Sequence, residues 1–109
     1  MSRAKGDIAE ERACEFLLKN DFMIVQRNFY SRFGEIDIIA QKDEILHFIE
    51  VKSALEYEIA IENITKSKLS KLIKTAYVYM KKNSLDTDFV FDALIVVDNN
   101  IDFIENITL

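Results

Sequence analysis

Proline is absent from this chain, and glycine stands only at positions 6 and 34. Disordered and linker-rich chains are usually richer in both, and half of the 109 residues are hydrophobic. One packed domain over 1–109 is the expectation. Cysteine occurs once, at Cys14. It has no partner for an internal disulfide, and in a helical pattern it reads as a small core or flank residue. That fits an intracellular, cytoplasmic protein. No apolar run approaches the ~20 residues that span a bilayer. The opening MSRAKGDIAEERACEF is charged, unlike the apolar stretch of a signal peptide. No membrane association is expected.

Charge of one sign is also missing from whole stretches. The net charge is −5, which at face value opposes nucleic-acid binding, because phosphate contacts need Lys and Arg. The mean hides the distribution. Residues 63–85 hold six lysines and no acid, whereas 86–109 hold six acids and no base.

The spacing predicts a helix over 3–20, with Ala9, Ala13, Phe16 and Leu17 on one stripe and Glu10 at its edge. FMIVQRNF (22–29) reads as a strand, SRFG as a turn, and EIDIIAQ as a second strand. KDE is a tight connection into ILHFIEVKS, so the second and third strands form a hairpin. Residues 54–64 are ambiguous. Residues 65–83 form the clearest helix, with Thr65 as N-cap; Leu69, Leu72, Ile73, Ala76, Tyr77 and Met80 share its apolar face. DFVFDALIVV is a buried-type strand, and IDFIENITL an edge-like last one. The order α-β-β-β-α-β-β implies an α/β (α+β) architecture with a mixed central sheet flanked by helices.

Side chains alternate along a strand. Glu35 and Asp37 therefore share one face of the second strand, and Glu50 and Lys52 share one face of the third. In the hairpin register Asp37 and Glu50 can point at a common place, to which the first helix can add Glu10. Three converging carboxylates repel one another without a cation, and an oxygen-only site suits Mg²⁺ or Mn²⁺. Such a metal activates water and offsets phosphate charge. Lys52 would then orient the water or stabilise the pentavalent phosphate. These are the parts of a phosphodiester hydrolase.

The pieces GDIAEERA with Glu10 and Ala13, Asn28, GEIDIIA (34–40), FIEVKS (48–53), Thr65 and Lys68 in TKSKLSKL, and FDALIVV (91–97) occur in this order over nearly the full length. In this the chain resembles the YraN-like family. That family comprises predicted bacterial endonucleases within the PD-(D/E)XK nuclease superfamily, related to archaeal Holliday-junction resolvases. The resemblance implies a restriction-endonuclease-like core forming a single PD-(D/E)XK nuclease-like domain. It implies Asp37, Glu50 and the Val51 carbonyl as ligands of Mg²⁺ or Mn²⁺, Lys52 as the catalytic lysine, and Glu10 as the helix acid completing the site. Glu35 matches the GEID motif with a less defined role. Lys68 matches a recurring lysine suited to a phosphate, and Lys71 and Lys74 extend that face toward DNA. Resolvase-like relatives act as dimers, so a homodimer is compatible. Three features depart from the pattern. Ala54 stands where relatives usually carry Arg, LEYEIAIEN with Glu56, Glu58 and Glu62 replaces a Gly-containing turn, and Asp21 stands where Gly is common. These bear on the grip on DNA more than on the metal site.

Plain structural roles weigh against each of these residues. Asp37 on an exposed sheet face would be merely solvated. Glu50 and Lys52 could pair with neighbouring charges. Glu10 could be one more helix-surface acid beside Glu11 and Glu15, and the lysines simply the wet face of an amphipathic helix. His47 falls on the face opposite Glu50, Tyr77 and Tyr79 read as core or rim, and Asp92 reads as structural. Two functions follow: a Mg²⁺-dependent endonuclease acting on branched or damaged DNA, or a non-catalytic nucleic-acid- or protein-binding module on the same fold.

Overall fold

The computed structural model describes residues 5–53, 59, 62 and 64–108, with side chains from Asp7 onward. The ambiguous segment 54–64 falls almost entirely outside the described residues, as do Ala54, Glu56, Glu58 and the extreme termini of the first helix and last strand.

Helix α1 runs Lys5–Lys19. Ala9, Ala13 and Leu17, each one turn apart, are 4%, 0% and 0% exposed. The helix stops because Asp21 turns left-handed, with φ 68°. The Phe22 amide then donates to the Leu17 carbonyl (3.0 Å) and the Asp21 amide to that of Leu18 (3.3 Å). This is the Schellman arrangement, whose left-handed position favours glycine. Asp21 occupies it here at a conformational cost.

Five strands follow the expected order: β1 Met23–Ser31, β2 Gly34–Lys42, β3 Ile45–Ser53, β4 Phe89–Val97 and β5 Asn100–Ile104. Strand β1 is longer than expected at its end, because the ladder continues to the pair Ser31–Gly34. The turn is only Arg32 and Phe33. Strand β5 is shorter than expected. Past Ile104 the chain bends back, and the Ile107 amide bonds the Phe91 carbonyl at 2.8 Å. The β2–β3 hairpin forms as read, closed by Asp43 and Glu44, both at positive φ. Such two-residue turns match the strand twist.

Helix α2, Lys66–Lys82, links β3 to β4. Thr65 caps it, its side chain accepting from the Lys68 amide at 3.2 Å. The sheet order is β1-β2-β3-β4-β5. Only β3 and β4 run parallel, as the intervening helix allows; the other pairs are antiparallel.

The two larger hydrophobic clusters lie on opposite faces of the sheet, and a third, about Ala93 and Ile95, lies along β4. Under α1, Ala9, Ala13, Cys14 and Leu17 pack on Phe22, Ile38, Ala40, Ile49, Leu94 and Val96. Under α2, Leu72, Ala76, Tyr79 and Met80 pack on Phe29, Ile36, Ile39, Leu46, Phe48 and Phe91. The molecule is thus α+β, a five-stranded mixed sheet with a described helix on each face. Among the described residues no helix is long and apolar enough to cross a membrane.

Ile36 packs under α2 and Ile38 under α1, although residues two apart in a regular strand share a face. The alternation therefore breaks at Asp37. Opposite it, the ladder holds Arg27–Ile38 and Phe29–Ile36 but no pair at Asn28. Asn28 is left-handed, with φ 55°.

Candidate metal centre

Asp37 sits where β2 leaves regular geometry on both sides. Toward β3, the ladder reaches Ile38–Ile49. Beyond it the Asp37 carboxylate takes the place of a backbone partner, and its Oδ2 accepts from the Val51 amide at 2.8 Å. Toward β1, the residue opposite Asp37 is Asn28, whose backbone is left-handed. Glu10 descends from α1 and Glu35 comes from the start of β2. Each of Glu10, Glu35 and Asp37 offers a carboxylate oxygen within 4.8 Å of the others. All three are partly buried.

Like charges so close are costly unless a cation offsets them. Burial comes first in pushing the Asp37 carboxyl up to about 8, followed by the charge of Glu50; Glu35 and Glu10 add to it, and only the Val51 amide opposes them. Glu10 is also raised, first by burial and then by Glu35, while Arg27 and the Asn28 side chain pull it back. The donor set suits a hard divalent cation: oxygen only, three carboxylates, no sulfur and no imidazole.

The expected residues do not all gather in one knot. Glu10 and Asp37 are together, and Glu35, expected in a minor capacity, completes the compact trio. Glu50 lies near enough to act on Asp37 electrostatically, but its Oε1 is engaged by the Lys52 ammonium at 3.1 Å. Glu50 and Lys52 line a small cavity with Ile64, Lys68, Leu69 and Leu72, on the α2 side of the sheet. Val51 meets the centre through its N–H. Lys68, Lys71 and Lys74 are all exposed on α2.

Arg27, Asn28 and Tyr30 acquire roles that the sequence left unassigned, Asn28 having stood there only as a matching position. The Arg27 guanidinium stands 3.9 Å from Glu10. The Asn28 side chain hydrogen-bonds the same carboxylate. The Tyr30 hydroxyl hydrogen-bonds Glu35, which raises the exposed phenol's pKa. A signal for Tyr30 existed: counting back across the Arg32–Phe33 turn pairs Tyr30 with Glu35, as observed.

The plain readings divide. Asp37 is not a solvated residue on an open face, and Glu10 is not a simple surface acid, since its side chain is only 13% exposed. His47 does lie away from Glu50, its Nδ1 2.5 Å from Asp92 Oδ2. Asp92 is fully buried and also accepts from the Asn106 amide at 2.9 Å. Tyr79 is core at 5% exposed, and Tyr77 lies at the rim, edge-on to Phe89.

A mixed five-stranded sheet whose second strand breaks step to gather carboxylates from a helix and two strand positions defines a small α+β protein with a candidate cation centre. The model of the uncharacterised protein family UPF0102 matches residues 9–97, a span that includes every site residue named above. The chain belongs to that family, which is the YraN-like family of the resemblance. It is 68% identical to a UPF0102 protein of Sulfurimonas denitrificans over the whole of both chains. It is 54% identical to one from Aliarcobacter butzleri, again over the whole of both. A Helicobacter pylori relative is 54% identical over 97% of this chain and 92% of its own.

Proposed function

We propose that this protein is a Mg²⁺- or Mn²⁺-dependent endonuclease hydrolysing DNA phosphodiester bonds, with branched or damaged DNA as its substrate and a restriction-endonuclease-like core as its scaffold. The observation that carries the reading is the convergence of Glu10, Glu35 and Asp37 within 4.8 Å, beside the Glu50–Lys52 pair on the adjoining strand. Asp37 and Glu50, with the Val51 backbone carbonyl, would hold the cation, with Glu10 and Glu35 supporting. A divalent cation supplies a lowered water pKa and charge neutralisation at the phosphate. The chain's own groups do the rest. The Val51 amide fixes the Asp37 carboxylate. Glu50 holds the Lys52 ammonium, a compact charge suited to a developing phosphate charge or an attacking water. Arg27 and Asn28 keep Glu10 turned toward Asp37. Lys68, Lys71 and Lys74 supply phosphate contacts that an otherwise acidic protein lacks.

The test is metal-dependent cleavage. Wild type and Glu50→Ala are incubated with labelled linear, single-stranded, flapped and four-way-junction DNA, in Mg²⁺, Mn²⁺ or EDTA. Cleavage that needs metal and vanishes in the variant supports the nuclease and identifies the substrate shape. No cleavage on any substrate, with no Mn²⁺ binding by calorimetry, sinks it. A second reading, a non-catalytic nucleic-acid- or protein-binding module, is favoured by the net charge of −5. DNA binding without cleavage, unchanged in Asp37→Ala, would select it.

A further inference from the structure

The β1–β2 turn is fastened to α2 more firmly than a two-residue turn requires. Ser31 Oγ and Thr75 Oγ1 lie 2.9 Å apart, and Thr75 is fully buried. The Phe33 amide donates to the same Ser31 Oγ at 3.0 Å. Gly34 lies against the helix: a Cβ there would stand in ordinary van der Waals contact, 3.7 Å from Lys71 Cβ. The consequence is a small cationic cluster about one ring. The Arg32 guanidinium lies 4.7 Å from the Phe33 centroid, and Lys74 Nζ lies 5.6 Å from it. Two cations are thereby held near each other by the ring's negative faces.

This cluster continues the lysine row of α2. Lys68, at the other end of the row, lines the cavity with Glu50 and Lys52. Lys71 packs against the turn in the middle. From Lys68 to Lys74 the helix rises about 9 Å. Phosphates of one strand advance about 3.4 Å each along a duplex axis, so the row covers roughly three. All four cations, Arg32 included, are exposed, and α2 itself carries no acid.

We propose that the Arg32–Phe33 turn and the Lys68–Lys71–Lys74 row form one phosphate track, which holds the backbone of a DNA strand as it leads to the Glu50–Lys52 end of the site. Arg32 is the far anchor, preset by Phe33, and the turn's attachment to α2 fixes the distance from anchor to site. The end point rests on the endonuclease reading; the binding of DNA along the track does not.

The experiment is fluorescence anisotropy of a labelled DNA duplex in EDTA, over a salt series, with each variant's melting temperature recorded. Arg32→Ala and Lys74→Ala are each expected to weaken binding ~3–10-fold and to flatten the dependence of log K on log salt by about 1. Phe33→Leu keeps every charge, so affinity falls while the slope stays. Lys19→Ala, at the end of α1 on the other face of the sheet, changes neither. Wild-type affinity and slope in both Arg32→Ala and Lys74→Ala, or an equal loss in Lys19→Ala, would overturn the track. So would a wild type that binds no duplex at low salt. Cleavage with Mg²⁺ is scored separately. A failed track leaves wild-type cleavage standing, and failed cleavage leaves the salt slopes standing.

Discussion

Two aspartates of this sheet live in opposite conditions. Asp92, on β4, is fully buried and fully answered: His47 takes one oxygen and the Asn106 amide the other. Asp37, on β2, is less buried yet has one amide, that of Val51, and three carboxylates for neighbours. A buried carboxylate whose lone pairs meet donors belongs to the architecture. One that is ringed by its own kind remains charged at neutral pH only if something positive arrives. Burial alone does not separate the two; the sign of what surrounds them does.

The largest expected effect falls on the Asp37 side. Asp37→Ala should reduce metal-dependent cleavage on the order of 10³-fold, about 4 kcal/mol of barrier, while the protein still folds. An Asp37→Ala that cleaves like wild type would erase the distinction between the two aspartates. Asp92→Ala should do the reverse. Removing it strands His47 and an amide in the interior, at a cost of about 3 kcal/mol in urea unfolding, with Mn²⁺ affinity unchanged in the folded protein.

The pH dependence sharpens the contrast. The folded-state pKa of Asp37 is raised from 3.8 to about 8, so its contribution to stability is full below pH 4 and lost as pH rises through 8. Metal-free protein should therefore lose stability from this group over that window. Asp37→Asn, which keeps an acceptor for the Val51 amide, should be more stable than wild type above pH 8 by about 2–5 kcal/mol. Adding Mg²⁺ to wild type should recover part of the loss, and more of it at high pH. A metal-free wild type as stable at pH 9 as at pH 5 would contradict this.

Smaller effects test how the trio is held. Asn28→Gly keeps the left-handed backbone and removes the amide from Glu10, so Mn²⁺ affinity should drop about tenfold with unfolding free energy within about 0.5 kcal/mol of wild type. At Asp21, glycine suits φ 68° better than aspartate does. Asp21→Gly should raise stability by about 0.5–1 kcal/mol without touching metal binding.

Much of the frame was legible. The i, i+4, i+8 stripe of Ala9, Ala13 and Leu17, the Thr65 cap and the β2–β3 hairpin are local matters, and the structure has them as read. Glu35 was underweighted because alternation says only that it shares a face with Asp37. How near it comes depends on the backbone at Asn28 and Asp37, and a left-handed residue inside a strand has no signature in that strand's hydrophobic pattern. The His47–Asp92 contact joins residues from strands whose parallel pairing is separated by a whole helix, so no local pattern announces it.

The sequence by itself determined the order of elements and most of their apolar faces, because hydrophobic period, caps and turns act within a few residues; Tyr77, expected on the apolar face of α2, is 56% exposed, and Tyr79 is buried instead. It also determined the candidate acids, since a carboxylate among strand hydrophobics is costly wherever it ends up. The tertiary structure alone decided which carboxylates meet. Glu10 joins Asp37 only because α1 packs across the sheet, and Asp37 faces it where the alternation of β2 breaks opposite the left-handed Asn28. Those are properties of paired surfaces, set by packing between segments far apart in the chain.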